Sequence, residues 1–366
     1  KYGFLWHNPA IGHVELAKNR TVWEARNAKQ FDYWVTAGDS YAQILDQYTE
    51  ATGKSPRMPE WAAGFWQSKL RYKTQQEVEN VAAEYVERGL PLSVMVIDVG
   101  HWTERGDYKF DPANWPDPGA MVAKLAEQGI RTMVSVWPTV DPDSENFAYL
   151  QDNGLLLKNK SGFDETQRFL FKNVADEHQM TAAKVRSYVA YLDPTHPETR
   201  AFLWDRLKAN YYDHDIRIFW LDCNEPELKH FDFHNLRYHL GDGDEVTSLY
   251  PNMTAKAVAD GMREIGETDF MTLSRAGWAG IQRYGASVWS GDIGASFEIL
   301  KKQLVAGLNV AMSGVPWWNS DIGGFFCNKE LRESDYYREL LVRWFQFGVF
   351  SPVCRLHGHR DPNEVW

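Results

Sequence analysis

Apolar, strand-like runs in this chain end repeatedly on a polar residue. Asp98 follows Ser93-Val-Met-Val-Ile97, Asp222 follows Ile218-Phe-Trp-Leu221, and Arg275, Asp292, Asp321 and His357 close four later runs. A run buried on both faces cannot carry a carboxylate in its middle, so Asp at the exits implies parallel strands that stop at one shared mouth. Between the runs lie amphipathic helical patterns, and that alternation is the sequence sign of βα units around a parallel sheet. Eight strands are expected, near residues 62–67, 92–98, 131–136, 216–222, 270–275, 286–292, 313–320 and 352–357. The fold class that follows is α/β, a (β/α)8 TIM barrel.

Residues 1–58 read differently. Short candidate strands at Thr21-Val-Trp-Glu24 and Phe31-Asp-Tyr-Trp-Val35 precede a polar helix from about Ser40 to Thr52 and a linker at Gly53-Lys-Ser-Pro-Arg-Met-Pro59. This is expected to be the end of a β-sandwich domain plus a linker helix, with the catalytic barrel over 59–366. Helices are expected over Gln75–Arg88 and Met121–Glu127, stopped by Gly89 and Gly129. Two gaps, near 141–190 and 226–250, are too long for simple connections and are expected to overhang the barrel mouth. Only nine residues follow the last strand, so the eighth outer helix and any C-terminal β domains are expected to be absent, which predicts exposed apolar surface and low stability for the chain alone.

Composition removes several function classes. With 39 basic against 50 acidic residues the formal charge is −11, which repels phosphate backbones and argues against nucleic acid. There is no apolar stretch of membrane-spanning length, which argues against a membrane role. Cys223, Cys327 and Cys354 are too few and scattered for a disulfide framework or a zinc site, and the first residues lack the order of a signal peptide. A soluble protein with reduced thiols follows, with the cytoplasm slightly favoured; assembly into a homo-oligomer stays open. His357-Gly-His359 has the spacing of a metal-binding pair, but the other strand exits offer Asp and Arg, so no metal and no cofactor is expected. Sixteen Trp are many for 366 residues, and flat rings suit the C–H faces of sugars, although core packing must account for most of them.

Four carboxylates around one mouth suit glycoside chemistry. Cleavage with retention needs one carboxylate to attack the anomeric carbon and another carboxyl, about 5–5.5 Å away, to protonate the leaving oxygen. Asp222 and Asp292 both begin in apolar strand and end in a turn. Ile293 gives Asp292 the more apolar neighbour, which favours Asp292 as the protonated member.

The stretch Trp220-Leu-Asp-Cys-Asn-Glu225 resembles the nucleophile motif of glycoside hydrolase family thirty-one, the α-glucosidase and α-xylosidase family. The resemblance continues through Ser274-Arg-Ala-Gly-Trp-Ala-Gly280, Gln282-Arg-Tyr284, Trp289-Ser-Gly-Asp292, Pro316-Trp-Trp-Asn-Ser-Asp-Ile-Gly-Gly-Phe325 and Cys354-Arg-Leu-His357. It implies Asp222 as nucleophile and Asp292 as acid/base. It also implies that Asp98 bonds the distal hydroxyls, that Arg275 bonds a hydroxyl beside the scissile bond, and that Asp321 and His357 complete the pocket. Trp220, Trp289 and Phe325 line its walls by the same resemblance. Glu225 is expected to position neighbours rather than to react. Phe233-His-Asn-Leu-Arg-Tyr-His239, Tyr250-Pro-Asn252 and Trp317-Trp-Asn319 look most like the bacterial and fungal branch that contains α-xylosidases. The expected activity is a retaining exo-α-glycosidase on terminal α-linked xylose or glucose, with an oligosaccharide or glycoside as its partner. The alternatives are a transglycosylase of the same fold and a non-catalytic carbohydrate-binding subunit.

Overall fold

The computed structural model describes residues 1–169, 187–228 and 233–366. Its centre is one parallel sheet of eight strands: β1 (Phe65–Gln67), β2 (Val94–Ile97), β3 (Arg131–Val136), β4 (Ile218–Leu221), β5 (Thr272–Ser274), β6 (Ala286–Trp289), β7 (Trp318–Asn319) and β8 (Cys354–Leu356). Each strand from β1 to β6 pairs with the next, and β8 pairs with β1. The sheet thus curls into a nearly closed barrel whose seam, between β7 and β8, is a single parallel bridge from Ile322 to Leu356. All eight expected strands are present. The seventh is much shorter than the expected 313–320, because the helix Phe297–Met312 runs up to it and Gly314, at φ 87°, turns the chain.

Strand alternation sorts the core into two layers. Val94 and Val96 face the barrel interior with Trp66, Met133, Ile218, Trp220, Met271, Leu273 and Trp289. Met95 and Ile97 face outward and pack with Val78, Ala82, Met121 and Leu125 of the flanking helices. Each such side chain, fully buried, contributes about 1.5–3 kcal/mol.

The helices begin and end where short-range chemistry directs. Thr74 caps Gln75–Glu87 by accepting from the Glu77 N–H at 3.2 Å, and Asp117 caps Pro118–Glu127 by accepting from the Ala120 N–H at 2.9 Å. Gly89 and Gly129, at φ 65° and 77°, release the chain into β2 and β3.

Before the barrel, Tyr2–Trp6 pairs antiparallel with Tyr33–Ala37, and Gly12–Leu16 with Thr21–Ala25. The helix Tyr41–Thr52 follows, and its end is tied to the barrel by Gln282, whose Nε2 donates to Thr52 Oγ1 at 2.9 Å and to the Gly53 carbonyl at 2.8 Å. The first long insertion forms a small antiparallel sheet in which Ser187–Tyr191 pairs with Thr166–Phe169 and with Thr139–Val140. Residues 170–186 of it lie outside the described residues. Leu236–Arg237 of the second insertion pairs with Lys158–Asn159 of the first, so the two excursions brace each other. Among the described residues no helix is long and apolar enough to cross a membrane.

Candidate active site

Every polar residue that ended an apolar run stands at the carboxyl end of the barrel. Asp98, Asp222, Arg275 and His357 directly follow β2, β4, β5 and β8, Asp321 lies two residues past β7, and Asp292 three past β6.

Asp222 and Arg275 form the first cluster. Arg275 Nη1 lies 3.2 Å from Asp222 Oδ1, an ion pair that falls short of hydrogen-bond geometry. The guanidinium is held from behind by Glu225, which accepts from its Nε at 2.7 Å and its Nη2 at 3.0 Å, and by Glu227, which accepts from Nη2. Glu227 also accepts from Cys223 Sγ at 3.2 Å. Cys223 has φ 53°, a left-handed conformation that costs a non-glycine residue about 1–2 kcal/mol; there its N–H hydrogen-bonds to the Asp222 carboxylate.

Arg355 organises the opposite wall. It points into the barrel from β8, wholly buried, and its Nη2 donates to Asp321 Oδ1 at 2.5 Å. Its guanidinium carbon lies 4.7 Å from the Trp220 ring centre and 5.4 Å from that of Trp289. His357 Nδ1 is 2.8 Å from Ser68 Oγ, and its Nε2 is 3.8 Å from Asp98 Oδ2. Asp98 Oδ1 accepts from the Val99 N–H at 2.6 Å.

Aromatic rings join these groups. Trp220 meets Trp289 edge-on at 5.4 Å and His357 at 5.0 Å, and Phe325 lies between His357 and His359 at 5.4 and 5.5 Å. Several buried polar atoms here have no hydrogen-bond partner in the protein: Asp222 Oδ1, Asp321 Oδ2, the indole nitrogens of Trp220 and Trp289, and Arg355 Nε and Nη1. A buried polar group left so costs about 1–3 kcal/mol, and a polyhydroxylated ring offers both donors and acceptors to meet it.

The electrostatics separate the carboxyls. Burial pushes Asp222 up to about 6, against the pull of Arg275, the Cys223 N–H notwithstanding, and Asp292 adds to the rise. Burial pushes Asp321 up to about 7, opposed by Arg355. Asp98 is raised well above the usual carboxylate range by burial and by the nearby Asp222. Asp292 is also raised, first by partial burial of its carboxyl, against the pull of Arg275 and Arg355 and with Glu227 and Glu225 adding to the rise, although the residue as a whole is exposed. His357 is held neutral by burial and by Arg355 and Arg360. Ile293 itself packs with the cluster around Ile322 and Trp344, so it is not what surrounds the Asp292 carboxyl, and Asp222 is the more deeply buried of the two.

Beside Asp292 opens a cavity of about 650 Å³ lined by Glu225, Pro226, Glu227, Leu228, Phe233, Arg275 and Asp292. Pro226, Glu227, Leu228 and Phe233 of the second insertion are thus part of this lining, and the described residues of the first are not. Glu225 accepts two hydrogen bonds from the Arg275 guanidinium. Arg355, Glu227 and Ser68 were not anticipated. Arg355 was signalled by β8 itself, because alternation in Cys354-Arg-Leu356 sends the middle residue inward; Glu227 and Ser68 carry no such signal. Cys223, Cys327 and Cys354 are free thiols. Among the described residues no group of three or more His, Cys, Asp or Glu could hold a metal ion.

Residues 55–366 match the family model described as glycosyl hydrolases family 31 TIM-barrel domain. A protein named uncharacterized family 31 glucosidase ORF2, from Pseudescherichia vulneris, is 47% identical over 361 residues, 99% of this chain and 65% of that protein. An α-xylosidase from Saccharolobus solfataricus is 35% identical over 372 residues, 100% of this chain and 46% of that protein. The solved structure of a GH31 α-xylosidase from a soil metagenome, complexed with xylose, is similar with a TM-score of 0.91 and 50% identity, covering 99% of this chain and 51% of that one. The chain thus spans about half to two thirds of the length of these relatives.

Proposed function

The chain belongs to glycoside hydrolase family 31, and from that premise we propose that it is the barrel of a retaining exo-α-glycosidase acting on terminal α-linked xylose or glucose. In this reading a carboxylate oxygen of Asp222 attacks the anomeric carbon while Asp292 gives its proton to the departing glycosidic oxygen. The glycosyl ester on Asp222 is then cleaved by water, whose proton returns to Asp292. Asp98 and His357 bind distal hydroxyls, Arg275 a hydroxyl beside the scissile bond, and Trp220, Trp289 and Phe325 form the walls. Asp321 has one oxygen committed to Arg355, so only Oδ2 is left for the sugar. The observation that carries the reading is the placing of Asp222 and Asp292 at one mouth, close enough for the charge of Asp292 to raise Asp222.

That coupling is mutual, and it supplies the switch in the role of Asp292. Substrate takes water from its exposed carboxyl and favours the protonated acid; once Asp222 is esterified its charge is gone, the pKa of Asp292 falls, and the carboxylate serves as base. Xylose is favoured over glucose by the α-xylosidase relatives at 35% and 50% identity. Proton NMR of the first-formed sugar tests the reading. The α-anomer is expected, and a β-anomer would exclude the covalent route. The pH profile gives a second check. Asp222 must be ionised to attack, so kcat/KM is expected to fall about tenfold per unit of pH below about 6, the value to which burial raises it. An acid limb centred below pH 4 would contradict this.

A further inference from the structure

The two ring nitrogens of His357 have different surroundings. Nδ1 lies 2.8 Å from Ser68 Oγ, and Nε2 lies 3.8 Å from Asp98 Oδ2. Burial, with Arg355 and Arg360 nearby, keeps the ring neutral, so one nitrogen carries a proton and the other a lone pair. What the ring can offer a ligand depends on which is which. Trp220, edge-on at 5.0 Å, and Phe325, at 5.4 Å, hold the plane of the ring but leave its proton unassigned.

Ser68 settles the proton. It stands just past β1, next to Gln67, which is in register with Leu356 of β8. Its backbone is held on both sides: the N–H donates to the Leu356 carbonyl at 3.0 Å, and the carbonyl accepts from Asn363 Nδ2 at 2.7 Å. The residue is 0% exposed, and among the described residues His357 Nδ1 is the one partner of its hydroxyl. With the proton on Nδ1, Ser68 would accept it and bury its own O–H without an acceptor. With the lone pair on Nδ1, the hydroxyl donates, and the ring proton falls on Nε2, toward Asp98. Nε2 and Asp98 Oδ2 are too far apart to bond directly, yet near enough for one sugar hydroxyl to meet both. A hydroxyl has one proton to give. It can donate to Asp98 while accepting from Nε2–H, whereas a bare Nε2 and an ionised Asp98 would compete for that proton.

We propose that Ser68 is a positioning residue for sugar recognition: its hydroxyl donates to Nδ1 and so fixes the proton of His357 on Nε2, aimed at a distal hydroxyl of the bound sugar. The inference rests on the glycosidase reading, because Ser68 reaches the substrate only through His357. Nitrogen-15 spectra of the full chain with labelled histidine read the ring directly, and His357→Asn identifies its signals among those of the eleven histidines. Wild type is expected to show a protonated Nε2 and a bare Nδ1, and Ser68→Ala a mixture of the two tautomers. A protonated Nδ1 in wild type, or a ring unchanged in Ser68→Ala, overturns the proposal without reference to activity.

Turnover is read with the 4-nitrophenyl α-glycoside of the sugar that the chain cleaves best and with its 2-deoxy, 3-deoxy and 4-deoxy analogues. Wild type is expected to lose at least about 100-fold in kcat/KM for one or both of the distal analogues, the 3-deoxy and the 4-deoxy, and Ser68→Ala less than about tenfold. The penalty for the 2-deoxy analogue, which lacks the hydroxyl beside the scissile bond, is expected to stay the same in both proteins. A general loosening of the fold would lower all the penalties together. A distal penalty of equal size in wild type and Ser68→Ala overturns the role given to Ser68 and leaves the glycosidase reading intact. No turnover of any α-glycoside overturns that reading and the role with it, while the nitrogen spectra still report the ring, so the two failures are told apart.

Discussion

Asp222→Asn is expected to lower kcat for any α-glycoside by at least about 10⁴-fold while making the protein more stable at neutral pH. The two effects share one cause. The carboxyl is almost completely buried, and burial raises its pKa to about 6, against about 3.9 for an unfolded Asp. A carboxyl whose folded value lies above its unfolded value supports the fold fully below about pH 4, and that support is lost as pH rises through 6. Above neutrality the ionised form therefore costs the fold about 1–3 kcal/mol, which an amide of the same shape does not. Thermal unfolding of Asp222→Asn and wild type is expected to coincide near pH 4 and to separate by a few degrees, with Asn the higher, at pH 7.5. If the Asn protein melts lower at pH 7.5, attraction to Arg275 outweighs burial, and the Asp222 carboxylate is stabilised rather than strained in the resting protein.

The parts of the site that were legible in the sequence were those in which backbone position and residue type coincide. A strand buried on both faces must end before a charge appears, so Asp98, Asp222, Arg275 and His357 announced the barrel's carboxyl end without any knowledge of packing. Asp292 and Asp321 were legible for the same reason, although turns of two or three residues separate them from their strands. Environment was not legible. Ile293 follows Asp292 in the chain but turns into the cluster around Trp344, so the apolar neighbour in sequence is not the neighbour in space. The length of β7 was also hidden, because it depends on where Phe297–Met312 stops, and apolar Val310 and Met312 read equally well as helix or strand. Arg355 carried a signal in the alternation of β8, but its charge argued against it: a guanidinium inside a barrel is unexpected until Asp321, Trp220 and Trp289 are seen around it.

That last group makes the strongest claim on stability. Arg355→Met keeps most of the side-chain volume but removes the cation that lies over both indole rings and donates to Asp321, and it is expected to destabilise the fold by about 3–5 kcal/mol at pH 8. The size depends on pH, because Asp321 is itself raised to about 7 by burial even with Arg355 beside it. Above that value the variant must either hold Asp321 ionised with only Arg360 to offset it or keep a proton that wild type has released. Below it Asp321 is protonated in both proteins, the variant lacks an anion to strand, and wild type holds a buried cation beside a neutral acid. The difference in stability is therefore expected to be largest at pH 8 and to fall by half or more at pH 5.5, measured as urea midpoints at the two pH values. A loss of the same size at both would mean that packing over Trp220 and Trp289, rather than charge, is what Arg355 contributes. Asp321→Asn separates the two further. It keeps the rings and the guanidinium but removes the acid; because burial holds the folded pKa of Asp321 above its unfolded value, wild type loses stability as pH rises from about 4 to 7, so Asn is expected to compare best with wild type at pH 8 and least well near pH 4.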